Sequence, residues 1–460
     1  MTKPVLFPLD LPELRFTAAG GATVRRTILP CGVRILSELV PGARSVTLGF
    51  WVAVGSRDEI PAGAHDDGSH PASLGSTHFL EHLLFKGTPS RSAFDIAVAF
   101  DAVGGEHNAL TAKEHTCYYA KVRDSDLPMA VDVMCDMITS SLLDAQEFET
   151  ERGVILEELA MADDDPTDVA QERLYEAVFG EHPLGRPIGG DASTIRAASR
   201  AAVEQHYRAN YRPEDLVITA AGGLDHDQLV ARVIEGLTRA GWDVGHVSIP
   251  VARRSTSVTK LFPASEFVSV ARPIEQANIM IGMPGIVATD PRRFAQSVFN
   301  SVLGGGMSSR LFQEIREKRG LVYSVFSFAS SYSDAGISGF YAGTAPGKAP
   351  EVTRLMMEEF LRVAESGITQ EELTRAQGQI AGASALALED TDTRMSRLGR
   401  SEIATGEFND YDVMLDLLTA VTLDDVRELA ADLASGAMTL VSVGKADDDA
   451  LRSALSRSAP

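Results

Sequence analysis

Residues Ser76–Thr88 read STHFLEHLLFKGT, placing His78, Glu81 and His82 within an otherwise apolar stretch expected to be a helix from about Thr77. Helical positions advance 100° each, so His82 falls about 40° from His78 and Glu81 about 60° to the other side. All three then project from one face, with the two rings one turn apart. Burying polar groups without partners is costly, so this trio asks for a ligand. Two neutral imidazoles can take adjacent corners of a tetrahedral zinc ion, with Glu81 beside them placed to deprotonate an activated water. A solvated helix face carrying two histidines by accident is the plain alternative, and the rest of the chain weighs between the two.

Catalytic zinc sites use three protein ligands and keep one corner open. The stretch ETERGVILEELAMADDDPTD, residues 149–168, reads as a helix, and with Glu147 just before it offers Glu149, Glu151, Glu157 and Glu158. Glu151 and Glu158 lie seven apart and share a face. Spacing alone does not choose between Glu157 and Glu158 as the third ligand.

The chain has 460 residues, 44% of them hydrophobic and 23% charged, a globular composition with length for more than one core. A net charge of −22 argues against a nucleic-acid partner, which needs a basic footprint; it leaves a basic peptide ligand open, and solubility alone accounts for it. Cys31, Cys117 and Cys135 are scattered and odd in number, so neither a disulfide framework nor a zinc knuckle is expected. The first residues show no basic-then-apolar leader, and no apolar run reaches about 18 residues. A cytoplasmic protein without a membrane partner is the expectation.

The order of elements repeats. TVRRTILPCGVRILSELV (23–40) and SVTLGFWVAVGSR (45–57) are expected to be two strands after a polar N-terminal arm. The HxxEH helix, a helix over 92–103, strands at EHNALTA and HTCYYAKV, and helices near 125–141 and 145–163 come next. The second half offers a strand at QANIMIGMPG, helices near 291–303 and 309–318, the strand pair LVYSVFSFASS and GISGFYAGT, and helices near 348–366 and 370–388. LVITAAGGLDHDQLVARVI and MTLVSVGKADDDALRSAL match most clearly, each a strand, a glycine turn, an acidic pair and a helix. These matches imply a duplication joined near 241–256. It predicts an α+β fold of two homologous halves, 1–245 and 246–460, each a mainly antiparallel sheet packed with helices.

HFLEHLLFKGT, GGEHNALTAKEHTCYYAKV, ERGVILEELAMADDDPTD and HPLGRPIGG together resemble the M16 metallopeptidases. These are the inverted HxxEH zincins that include the mitochondrial processing peptidases, pitrilysin and insulysin. The resemblance covers nearly the whole chain and, in length, fits the processing-peptidase-like subfamily. It implies one zinc ion per chain held by His78, His82 and a glutamate 76 residues beyond the second histidine, which is Glu158. Glu81 becomes the general base and Glu151 an orienting acid behind the ligands. Asn108 and Ala109 match the edge strand on which the family lays an extended peptide. Arg316 and Tyr323, seven apart in REKRGLVY, match the pair that supports substrate and the developing oxyanion. Asp168 and Glu172 resemble positions that receive a substrate arginine in the mitochondrial enzyme.

The resemblance further implies a zinc metalloendopeptidase cleaving peptides or unfolded segments in a closed chamber. A chain of this length supplies half a chamber, so a homodimer is expected, its active sites completed in trans. A non-catalytic processing-peptidase-like subunit is the alternative; such relatives have lost ligands or the base, and this chain keeps them. LGGGMSSRLF stands where the non-catalytic processing subunit has a longer glycine-rich loop, and its shortness suits a tight inter-helix turn. One departure is an apparent insertion in IPAGAHDDGSHPAS (60–73), carrying His65 and His70, which are excluded as ligands because a polar loop positions a metal poorly. His107 and His115 flank the edge strand and are given no role.

Overall fold

A computed structural model describes residues 3–61 and 73–456. His65, His70 and most of the apparent insertion lie outside the described residues. One sheet is built from β1 (Glu13–Thr17), β2 (Thr23–Ile28), β3 (Arg34–Leu39), β4 (Ser45–Val52), β5 (Glu106–Thr111), β6 (Thr116–Arg123) and β7 (Leu216–Gly222), in the order β1-β2-β3-β7-β4-β6-β5. A second is built from β8 (Phe267–Ala271), β9 (Ala277–Pro284), β10 (Val322–Ser331), β11 (Gly336–Thr344) and β12 (Thr439–Gly444), in the order β10-β11-β9-β12-β8.

The run β3-β7-β4-β6-β5 repeats in β8-β12-β9-β11-β10. Each has one parallel pair, β3 with β7 and β8 with β12, and antiparallel pairs elsewhere. The duplication read from the sequence is present strand for strand, and the fold is α+β with mainly antiparallel sheets.

Four helices build the histidine-bearing face and join the halves: α1 (Ser76–Leu83), α2 (Ala145–Asp164), α3 (Pro166–Phe179) and α4 (Thr391–Arg400). The central strands β4 and β9 are buried along nearly their whole length, which is why they read as continuous apolar runs. Their second faces are covered by an exchange. Helix α3 lies across the second sheet and buries Leu174 and Val178 with Met280, Val441 and Val443. Helix α4 lies across the first sheet and buries Met395 and Leu398 with Trp51 and Val217. Val5–Leu6 also pairs antiparallel with Glu407–Phe408, tying the start of the chain to the second half.

Three expectations need correction. TVRRTILPCGVRILSELV is two strands, not one: β2 and β3 form a hairpin whose turn uses Gly32 at φ +92°. The polar arm contributes β1, because an edge strand needs only one apolar face and Glu13–Thr17 alternates. His107 lies inside β5 rather than beside it, its ring stacked on Phe100 at 4.4 Å.

Candidate metal centre

Helix α1 begins after Gly75, which adopts φ +83°. Its free N-terminal N–H groups are capped from a distance: Glu59 accepts from Gly75 N and Thr77 N, both at 2.8 Å. Burial pushes the Glu59 carboxyl up to about 7 against the pull of those bonds. Phe79, Leu80 and Leu83 are fully buried, leaving His78, Glu81 and His82 half-buried on the other face. Helix α2 starts at Asp144, whose side chain accepts from the Gln146 and Glu147 N–H groups. Phe148, Glu151 and Ile155 form its buried stripe, and Phe148 stacks on Phe79 with centroids 4.6 Å apart. One further turn along that stripe carries Glu158 to the histidines.

Three atoms converge. His78 Nε2 and His82 Nε2 are 3.2 Å apart, and Glu158 Oε2 is 3.3 Å from the first and 3.4 Å from the second. Ligand atoms about 2.0–2.1 Å from a tetrahedral zinc stand about 3.3–3.4 Å from one another, so this triangle fits one face of the coordination tetrahedron. His82 Nδ1 lies 2.9 Å from Glu151 Oε2, and His78 Nδ1 lies 3.4 Å from the Gly189 carbonyl. Donation to these acceptors leaves both Nε2 atoms as bare lone pairs facing a carboxylate oxygen. In that tautomer the three atoms are all acceptors, a geometry that a cation relieves. Among the described residues, this is the one place where three His, Cys, Asp or Glu ligand atoms come within 4.8 Å of one another.

The structure thus separates the two glutamates that spacing left open: Glu158 meets both rings, and Glu157 is exposed beside it. Glu151 is buried, at 2% exposure, and is shared between His82 and Lys86, whose Nζ stands 2.6 Å from its other oxygen. Burial opposes the Glu151 charge, and the hydrogen bonds from Lys86 and His82 outweigh it, holding the carboxyl below its ordinary value. Glu81 stands on the α1 face toward Tyr118 and Tyr211, whose buried hydroxyls pair at 3.1 Å.

Helix α1 packs against β5, the edge strand of its sheet, which carries Asn108 and Ala109. Asn108 Oδ1 accepts from Ala109 N at 2.8 Å. Asp168 and Glu172 are exposed one turn apart on α3, and the Glu172 charge lies near that of the buried Lys113. Arg316 sits between the rings of Phe312 and Tyr323, 4.7 and 5.1 Å from their centroids, and Tyr323 is 79% exposed on the edge strand β10. No hydrogen bond, ion pair or ring contact among the described residues joins this pair to the His–His–Glu cluster. Lys86, Glu59 and Gly189 escaped the sequence reading. Lys86 had a signal, four residues after His82 on the same face; Glu59 and Gly189 act through contacts made only by folding.

Two histidines from one helical turn and a carboxylate from a distant helix, in inverted HxxEH order, define a metallopeptidase-type centre. Similarity to known proteins agrees. Residues 34–192 match the family model for insulinase (peptidase family M16), and residues 197–380 match that for the peptidase M16 inactive domain. An uncharacterized zinc protease of Streptomyces coelicolor is 47% identical over 93% of this chain and 91% of its own length. One from Mycobacterium tuberculosis is 43% identical over 91% and 92%, and YmxG of Bacillus subtilis, also an uncharacterized zinc protease, 36% over 89% and 95%. Among solved structures, a peptidase M16 inactive domain from Pseudomonas fluorescens superposes with TM-score 0.77 at 20% identity, covering 95% of this chain and 98% of that one. A protease from Helicobacter pylori gives 0.76 at 19%, covering 96% and 100%. The chain belongs to peptidase family M16 and is a metallopeptidase of that type.

Proposed function

We propose that the protein is a zinc metalloendopeptidase of the cytoplasm, cleaving peptides or unfolded segments, with one zinc per chain held by His78, His82 and Glu158. The observation that carries this reading is the triangle of His78 Nε2, His82 Nε2 and Glu158 Oε2 at 3.2–3.4 Å. Zinc, when bound, supplies Lewis acidity and lowers the pKa of a water to about 7. Glu81 then takes the proton of the attacking water and passes it to the leaving amine. A peptide added to the open edge of β5 along Asn108 and Ala109 is held by backbone bonds that any sequence can make. Asp168 and Glu172 receive a basic side chain near the cut.

Arg316 and Tyr323 supply donors for the developing oxyanion, worth a few kcal/mol where water is excluded. Their separation from the cluster within one chain supports a homodimer in which each site takes His78, Glu81, His82 and Glu158 from one subunit and Arg316 and Tyr323 from the other. The two halves, 1–245 and 246–460, would thereby enclose a chamber with their copies. The test is peptide hydrolysis by the purified protein. Activity that disappears on chelation and returns with zinc supports the reading; zinc-loaded protein that cleaves nothing in a diverse peptide library is instead a non-catalytic peptide-binding subunit.

A further inference from the structure

We infer that Lys86 is a positioning residue for the metal, fixing the Glu151 carboxylate and, through it, the ring of His82. The inference rests on the metal reading above. His82 and Lys86 are four residues apart and turn toward the same carboxylate from one side. Lys86 Nζ is 2.6 Å from Glu151 Oε1, and His82 Nδ1 is 2.9 Å from Oε2. Each carboxylate oxygen therefore has its own donor, and rotating the group breaks both bonds together.

A carboxylate only 2% exposed needs a countercharge, and Lys86 provides it without competing for the oxygen that His82 uses. With Oε2 aimed at Nδ1, the His82 ring is held with Nε2 toward Glu158 and His78. His78 is fixed separately, through the Gly189 carbonyl. Gly189 makes this approach easy, since a Cβ there would stand 3.3 Å from His78 Nδ1 and 3.0 Å from Leu159 Cδ2. Lys86 thus governs one ring of the two.

The experiment measures zinc affinity of the whole chain by competition with a chromogenic chelator, in wild type, Lys86→Met, Lys86→Arg, Glu151→Gln and the Lys86→Met/Glu151→Gln double variant. Outer partners of metal ligands typically govern affinity by about 10–100-fold, and Lys86→Met is expected to weaken zinc binding within that range. Lys86→Arg keeps the charge and stays near wild type. In the Glu151→Gln background, Lys86→Met adds nothing, because the lysine acts through that carboxylate. Thermal melts of the zinc-free proteins check folding, and Lys86→Gln replaces the Met variant should that one fail to fold. Wild-type zinc affinity in Lys86→Met, or a full additive loss in the double variant, overturns the inference and leaves the metal reading standing. A wild-type chain that binds no zinc removes both.

Discussion

Leu174, carried by the first half on α3, is fully buried over Gly282 of β9 in the second half, where a Cβ at 282 would stand 2.9 Å from both of its Cδ atoms. The corresponding contact of the other exchanged helix sets Trp51 of β4 against Gly399 of α4, where a Cβ would stand 2.3 Å from the indole Cε2. Each glycine is the space into which the other half's side chain fits. Leu174→Ala should cost about 2–5 kcal/mol, the range for deleting a buried leucine. Gly282→Ala should cost about 1–3 kcal/mol by overpacking. The pair touches, so the double variant should be more stable than the sum of the two losses predicts. Urea denaturation of the three variants checks this.

Asp334, in the turn between β10 and β11, joins the halves on the other side. It accepts from Arg57 at 2.9 and 3.2 Å and from Thr259 Oγ1 at 3.0 Å, with His182 at 3.3 Å. Burial opposes its charge, and the bonds from Arg57, Thr259 and His182 overcome that to hold the carboxyl at about 2. The folded value lies below the unfolded value of about 3.9, so its stabilisation is present above pH ~4 and lost as pH falls toward 2. Asp334→Asn should therefore cost about 1–2 kcal/mol at pH 7, with the difference from wild type shrinking below pH ~4 and disappearing as pH falls through 2. Denaturation midpoints across that range decide it.

Glu81→Gln keeps the shape of the α1 face and removes the base. Peptide hydrolysis should fall by about 10²–10⁴-fold, while zinc content per chain stays at the wild-type level. A variant retaining most of its activity would place the base elsewhere.

Completion of sites across a dimer is tested by mixing. Co-refolded Glu81→Gln and Tyr323→Phe chains pair at random, and each mixed dimer has one intact site. Activity should return to about a quarter of the wild-type level from two inactive parents. No recovery from a dimeric mixture means that each site is built within one chain.

How much of this was legible in the sequence depends on where the physics is local. The α1 trio and the α2 glutamates were readable because helical spacing alone puts His78 with His82 and Glu151 with Glu158. The duplication showed through its two matching closing elements, at Leu216–Arg239 and Thr439–Ser456. The choice of Glu158 over Glu157 needed either the family resemblance or the fold, since adjacent residues on a helix differ by only 100°. The exchange of α3 and α4 was invisible, because an amphipathic helix does not say which sheet it covers. The β2–β3 turn was missed because Leu29, Cys31 and Val33 keep the run apolar through the hairpin, so that Pro30 and Gly32 alone mark the reversal.

The most direct measurement is zinc per chain after dialysis, by elemental analysis of wild type, Glu157→Gln and Glu158→Gln. Close to one ion in the first two proteins and nearly none in the third is the expected result. Full zinc occupancy in Glu158→Gln, with the metal lost instead from Glu157→Gln or from neither, would contradict the His78–His82–Glu158 centre.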